Sequence, residues 1–152
     1  MDLSDTQKRN KKLVEEYPFL QLRDPWTGDV YDDEDYSFTM LDDMPEGWRN
    51  AFGIKMCDEI KEELIRCKYL DEYRVVQVKE KFGALRWYDY GVPDGCRVPD
   101  IINTYEKISA YTCIRCGKPA TKISNGWICP WCDDCAKEVG GKFEPIEEWF
   151  KF

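Results

Sequence analysis

Histidine is absent from this sequence. With it go the commonest general base, the Ser-His and Cys-His nucleophile pairs, and the His-containing ligand sets of catalytic zinc. Long apolar runs are also missing. None approaches the roughly 20 residues that cross a bilayer, and Met1 to Asp5 lack the basic and apolar regions of a signal peptide. The expectation is a cytoplasmic chain with no membrane span. Positive charge is missing from one stretch in particular, Asp29 to Glu46, which holds no Lys or Arg but carries Asp29, Asp32, Asp33, Glu34, Asp35, Asp42, Asp43 and Glu46. Setting those eight apart leaves 22 acidic residues against 22 Lys and Arg, so the net charge of -8 lies on this strip. Charge concentrated in this way suits contact with a basic partner surface.

What the chain does contain is enough apolar material for a core. Hydrophobic residues make up 43% and aromatics 14% of 152 residues, which excludes a wholly disordered chain although 34% of residues are charged. The basic start, residues 1 to 12, reads as weakly ordered and leads into a short helix that ends before Pro18. Residues 18 to 47, with Pro25, Gly28, Pro45 and Gly47 among aromatics and acids, read as an irregular segment anchored by Phe19, Trp26, Tyr31, Tyr36 and Phe38. From Trp48 to about Tyr69, Phe52, Met56, Ile60, Leu64 and Cys67 recur at helical spacing and give one apolar face. Tyr73 to Lys79 and Ala84 to Tyr90 read as strands, joined through Glu80-Lys81-Phe82-Gly83 in an antiparallel hairpin whose connection uses Gly83 for positive φ. Ile101 to Ala110 reads as a further helix.

Eight cysteines without an export signal point to thiols and metal ligands rather than a disulfide framework. Cys113-Ile114-Arg115-Cys116-Gly117 has the form of a knuckle in which two thiolates chelate one ion and Gly117 permits the tight turn behind them. The second half, Cys129-Pro130-Trp131-Cys132-Asp133-Asp134-Cys135, offers two spacings, Cys129 with Cys132 or Cys132 with Cys135. The second is preferred, because Cys135 opens a helix-like run and Asp133 and Asp134 would then sit in a first turn, where negative charge is favoured. The expected ligands are therefore Cys113, Cys116, Cys132 and Cys135, holding one structural Zn²⁺ in a treble-clef or ribbon-like module. No catalytic constellation is visible, and a non-enzyme is expected.

The run Gln77-Val78-Lys79-Glu80-Lys81-Phe82-Gly83-Ala84-Leu85-Arg86-Trp87-Tyr88, followed by Tyr111-Thr112-Cys113 through Cys116-Gly117-Lys118-Pro119-Ala120, resembles a family of small bacterial and prophage proteins. In these a KEKFGxLR(F/W)Y hairpin precedes a four-cysteine module with a Gly-Trp pair, here Gly126-Trp127, and an upstream Gly-Trp, here Gly47-Trp48, opens the helix. The resemblance implies a mobile-element setting and no known enzyme activity. In size, charge and setting the chain is also similar, more loosely, to some anti-CRISPR inhibitors of type II effectors.

The fold expectation is α+β. A helix on a small antiparallel hairpin would occupy residues 1–110, with the acidic loop-rich segment at about 18–47, and the four-cysteine module at 111–152 would pack on it. The functional expectation is a phage-type zinc protein that binds a host protein, such as a Cas9-type effector nuclease, through the acidic strip, with Tyr31, Tyr36 and Phe38 as anchors. The alternative is a nucleic-acid-binding zinc module that uses Lys79, Lys81, Arg86, Arg115, Lys118 and Lys122 with Trp87, Tyr88 and Trp127.

Overall fold

A computed structural model describes residues 2–149. The chain is α+β, with helices packed on a two-stranded antiparallel sheet and a second, three-stranded antiparallel sheet beside the C-terminal cysteines. Helix α1, Asp5–Glu16, starts earlier than the expected weak order at residues 1 to 12 allows. Ser4 and Gln7 form a reciprocal capping box that satisfies two end N–H groups. The fully buried Asn10 then donates to the Tyr36 carbonyl at 2.8 Å.

The helix read from Trp48 onward is present. Helix α2, Glu46–Trp48, passes through a π-turn at Arg49–Gly53 into α3, Ile54–Arg66. Its inner face, Phe52, Met56, Ile60 and Leu64, is buried, as the spacing requires. Strands β1, Val75–Lys81, and β2, Ala84–Asp89, pair antiparallel. The hairpin turn is Phe82-Gly83 with φ of 53° and 84°, the mirror-image turn that matches strand twist. A register shift between Val75 and Gln77 breaks strict alternation, so Val75 and Val78 both face inward.

Helix α4, Val98–Ser109, packs across β2 and α3, with Phe52 and Tyr105 rings 5.4 Å apart. Its Ser109 hydroxyl accepts from the Leu85 N–H at 2.8 Å. Beyond it come β3, Lys122–Ser124, β4, Pro130–Trp131, α5, Asp133–Val139, β5, Phe143–Pro145, and α6, Ile146–Trp149, with sheet order β4-β3-β5. One core cluster runs through both parts, from Val14 and Phe19 through Trp48 and Leu85 to Cys113, Cys132 and Cys135.

Trp48 and Gly47 join the two parts. The fully buried Trp48 indole donates to the Thr112 carbonyl at 2.9 Å, and the Gly47 N–H donates to the Ile114 carbonyl at 2.9 Å. A Cβ on Gly47 would lie 2.3 Å from the Cys113 carbonyl oxygen, so only glycine lets α2 approach the knuckle this closely. Among the described residues, no helix is long and apolar enough to cross a membrane.

Candidate metal centre

The knuckle forms because the chain reverses within five residues. The Cys113 N–H donates to the Lys118 carbonyl at 2.7 Å, and the Gly117 N–H donates back to the Cys113 carbonyl at 3.0 Å. Gly117 sits at φ +86°, and its absent Cβ would be 2.6 Å from the Gly47 carbonyl oxygen, so conformation and space both demand glycine. The other two sulfurs come from α5. Cys132 is its N-cap, and its sulfur accepts from the Cys135 N–H at 3.4 Å. Asp133 and Asp134 occupy the first turn, where the exposed N–H groups favour negative charge.

These elements bring the Cys113, Cys116, Cys132 and Cys135 sulfurs within 4.8 Å of one another, with 3.5 Å between those of Cys116 and Cys132. A tetrahedral ion with metal–sulfur bonds of about 2.3 Å has its sulfurs about 3.8 Å apart, so the group is sized for one metal ion. Cys113 and Cys135 are buried, and Cys116 is the most accessible of the four. Burial raises the Cys113 thiol, but N–H groups of Cys116, Cys132 and Arg115 outweigh it and bring it down to about 7. The Cys135 thiol is raised by burial and by hydrogen bonding to its three sulfur neighbours. Backbone N–H groups that favour the Cys113 thiolate, beside three further sulfurs at chelating distance, make a set that a cation would complete.

Cys129 lies outside this group. It is fully buried, its N–H donates to the Ser124 hydroxyl at 3.1 Å, and burial with Glu80 nearby pushes its thiol up to about 12. A second set, Glu63, Cys67 and Cys96, also lies within 4.8 Å. There both Glu63 oxygens are occupied, by Arg66 Nε at 2.6 Å, Arg66 Nη2 at 2.6 Å and the Arg97 N–H at 2.5 Å. No local pattern signals this grouping, because its members come together only through the packing of 91–97 against the end of α3.

The acidic strip divides in two. Asp42 is half-buried, accepts from the Thr39 N–H at 2.6 Å and pairs with Arg49 at 2.5 Å. Glu34 accepts from the Gln21 amide and from the Tyr36 N–H, each at 2.6 Å. Asp35 accepts from the Ser37 N–H at 3.0 Å, and the Ser37 hydroxyl first and this N–H second hold its carboxyl below the ordinary value. These three brace the segment. Asp29, Asp32, Asp33, Asp43 and Glu46 project into solvent. The expected anchors also divide. Phe19 is buried and Tyr36 and Phe38 are half-buried, whereas Tyr31 is 39% exposed and Trp26, at 93% exposure, anchors nothing.

The basic residues of the C-terminal module are not as bare as their stretch of sequence suggests. Arg115 pairs with Glu138 at 2.9 Å, Lys118 lies 3.9 Å from Asp134, and Lys122 lies 4.0 Å from Asp133. Helix α5 thus returns three carboxylates to a segment that has none of its own. On the hairpin, Lys79 and Lys81 lie over the rings of Tyr88 and Phe82, Arg86 Nη1 donates to the Leu85 carbonyl, and Trp87 is buried. The Trp127 indole, itself exposed, donates to Glu80 at 2.8 Å.

No known protein family, no curated protein and no solved structure matches the chain.

Proposed function

We propose that this chain is a zinc-stapled, non-enzymatic binding protein of mobile-element type that inhibits a basic nucleic-acid-handling protein of its host, of which a Cas9-type effector nuclease is the leading candidate. The metal is one structural Zn²⁺ per chain in a treble-clef setting, with the knuckle giving two thiolates and the start of α5 the other two. Four soft thiolates and no open position suit zinc that holds a fold together rather than zinc that activates water. The chain acts in the host cytoplasm.

The observation that carries the reading is the braced acidic segment. Asp29, Asp32, Asp33, Asp43 and Glu46 stand exposed on a stretch with no basic residue, and that stretch is held in place through Asp42, Glu34 and Asn10. Fixed carboxylates at short spacing imitate phosphates, and the channel of a guide-dependent nuclease that holds a nucleic-acid duplex is positively charged. The nucleic-acid alternative is weaker, because Arg115, Lys118 and Lys122 face carboxylates of α5.

The experiment is a cleavage assay with a Cas9-type nuclease, run for the wild type and for a variant with Asp29, Asp32, Asp33 and Asp43 changed to Asn. Asp42 and Glu34 are spared because they hold the segment. The expected result is inhibition by the wild type, and association slowed about tenfold or more in the variant at low salt, with zinc content and melting temperature unchanged. Equal inhibition by both proteins, or none by the wild type, would sink the proposal.

A further inference from the structure

The irregular segment forms one wall of a groove of about 520 Å³ whose other wall is Glu72, Arg74, the start of β1 and Tyr90, which follows β2. Three exposed aromatics line it: Trp26, Tyr31 and Tyr90. Two arginines, Arg23 and Arg74, line it as well. Both guanidinium groups meet at Gly28. Arg23 Nη1 donates to the Gly28 carbonyl at 3.0 Å, and Arg74 lies so close above the glycine that a Cβ there would be 1.7 Å from its Nη1. Among the described residues, no carboxylate lies within ion-pair distance of either arginine, and both are half-buried. Burial and the neighbouring Arg74 charge lower the Arg23 guanidinium from its ordinary value, with Asp29 opposing them. Two like charges held together, with no described carboxylate at ion-pair distance although Asp24 and Glu72 line the groove and Asp29 is near, form an arrangement that an anion stabilises.

The loop that carries Trp26 is rigidly built. Asp24 accepts from the Trp26 N–H at 2.8 Å and the Thr27 N–H at 3.2 Å, the Gly28 N–H returns to the Asp24 carbonyl at 2.8 Å, and the Tyr90 hydroxyl reaches the Pro25 carbonyl at 3.4 Å. A tryptophan at 93% exposure on a loop this well fastened contributes nothing to the core and leaves an aromatic surface free for a ligand. Adjacent cations call for a phosphate, and adjacent aromatic faces call for a flat ring. The volume falls in the range of small-molecule sites.

We propose that this groove binds a nucleoside monophosphate, with its phosphate between Arg23 and Arg74 and its base stacked on the Trp26–Tyr90 side. A single nucleotide is favoured over the interior of a nucleic-acid strand for an electrostatic reason. Glu72 lines the groove, and Asp29, Asp32 and Asp33 flank Tyr31, so further phosphates beyond the first would meet carboxylates. This site is separate from the metal centre, and its occupation does not depend on the inhibitor reading.

The test is titration of the zinc-loaded full chain, followed by tryptophan fluorescence and calorimetry, with adenosine and cytidine monophosphates, the matching nucleosides, inorganic phosphate and a ten-nucleotide single strand. Binding of the monophosphates, at least about tenfold tighter than either the nucleosides or inorganic phosphate alone, is expected. Arg74→Met should weaken that binding about tenfold or more, and Trp26→Ala about fivefold, while both variants keep the wild-type melting temperature. Arg74→Lys should recover part of the loss. The absence of monophosphate binding at millimolar concentration, or binding that both variants retain, overturns the site. Strand binding tighter than monophosphate binding overturns the single-nucleotide assignment.

Discussion

The four cysteines beside the C-terminal sheet and the Glu63, Cys67 and Cys96 group at the end of α3 are alike in spacing and unlike in surroundings. In both, the possible ligand atoms lie within 4.8 Å of one another. Around Cys113 the neighbours are backbone N–H groups, which stabilise a thiolate without cancelling its attraction for a cation. Around Glu63 the neighbours are Arg66 and the Arg97 N–H, so the carboxylate is already neutralised. The Cys96 thiol there is pushed up to about 11, first by burial and then by its hydrogen bond with Cys67. The two groups differ in whether the negative charge is still unpartnered, and on that difference a metal ion is expected at the first and not at the second.

The largest effect expected from breaking this comparison is at the first group. Cys113→Ser should remove the metal, and a strong chelator should do the same to the wild type. Structural zinc binding supplies on the order of 10 kcal/mol in small modules, comparable with a whole domain's stability, so the C-terminal part should lose its cooperative unfolding transition. Metal analysis with calorimetric melting would check it, and retention of one equivalent of metal would contradict the assignment. Cys129→Ser is the matched control and should keep full metal content, with a loss of about 1 kcal/mol from altered packing of a buried thiol.

The next effect lies at the joint between the parts. Gly47→Ala places a carbon 2.3 Å from the Cys113 carbonyl oxygen, and Gly117→Ala adds positive φ to a 2.6 Å approach. Each should cost about 2–4 kcal/mol, by steric displacement in the first and by strain plus displacement in the second. Urea unfolding would measure it. A midpoint unchanged in Gly47→Ala would show that the knuckle does not depend on α2. A smaller cost, of about 1–2 kcal/mol, is expected from Gly83→Val, because Gly83 has φ +84° and the Ile128 carbonyl lies 3.2 Å from its Cβ position.

At the second group the expected effects are smaller. Cys67→Ser with Cys96→Ser should leave metal stoichiometry at one per chain, and a second equivalent in the wild type that this pair of changes removes would reverse the comparison. Glu63→Gln should lower the melting temperature at neutral pH, because the carboxyl of Glu63 is held down to about 2, first by Arg66 and then by the Arg97 N–H. Its folded value lies below its ordinary one of 4.5, so the stability it contributes is fully present above about 4.5 and is lost as pH falls toward about 2. The gap between wild type and Glu63→Gln in urea midpoint should narrow across that window.

Local patterns in this chain were readable wherever their physics is local. The apolar spacing of Phe52, Met56, Ile60 and Leu64 fixed a helix and its buried face, and Phe82-Gly83 between two β-type runs fixed a hairpin, because periodicity and positive φ depend on a few neighbouring residues. The pairing of Cys132 with Cys135 followed from the helix-start pattern after Cys132, and the sulfur cluster has that membership. The order at the start of α1 was missed because it rests on Asn10 and Gln7 reaching residues 36 and 35, contacts that no local window contains.

The sequence by itself therefore determined the helix after Trp48, the hairpin, the chelating spacing and the place of the excess negative charge, all properties of residues close along the chain. Tertiary structure decided which charges are free. It spent Asp42 and Glu34 on bracing, returned Asp133, Asp134 and Glu138 to the basic stretch, left Arg23 and Arg74 together with no carboxylate at ion-pair distance among the described residues, and put Trp26 outside the core. The reason is that Coulomb interaction and burial depend on distance in space, and residues far apart in sequence acquire that distance only when the chain has folded.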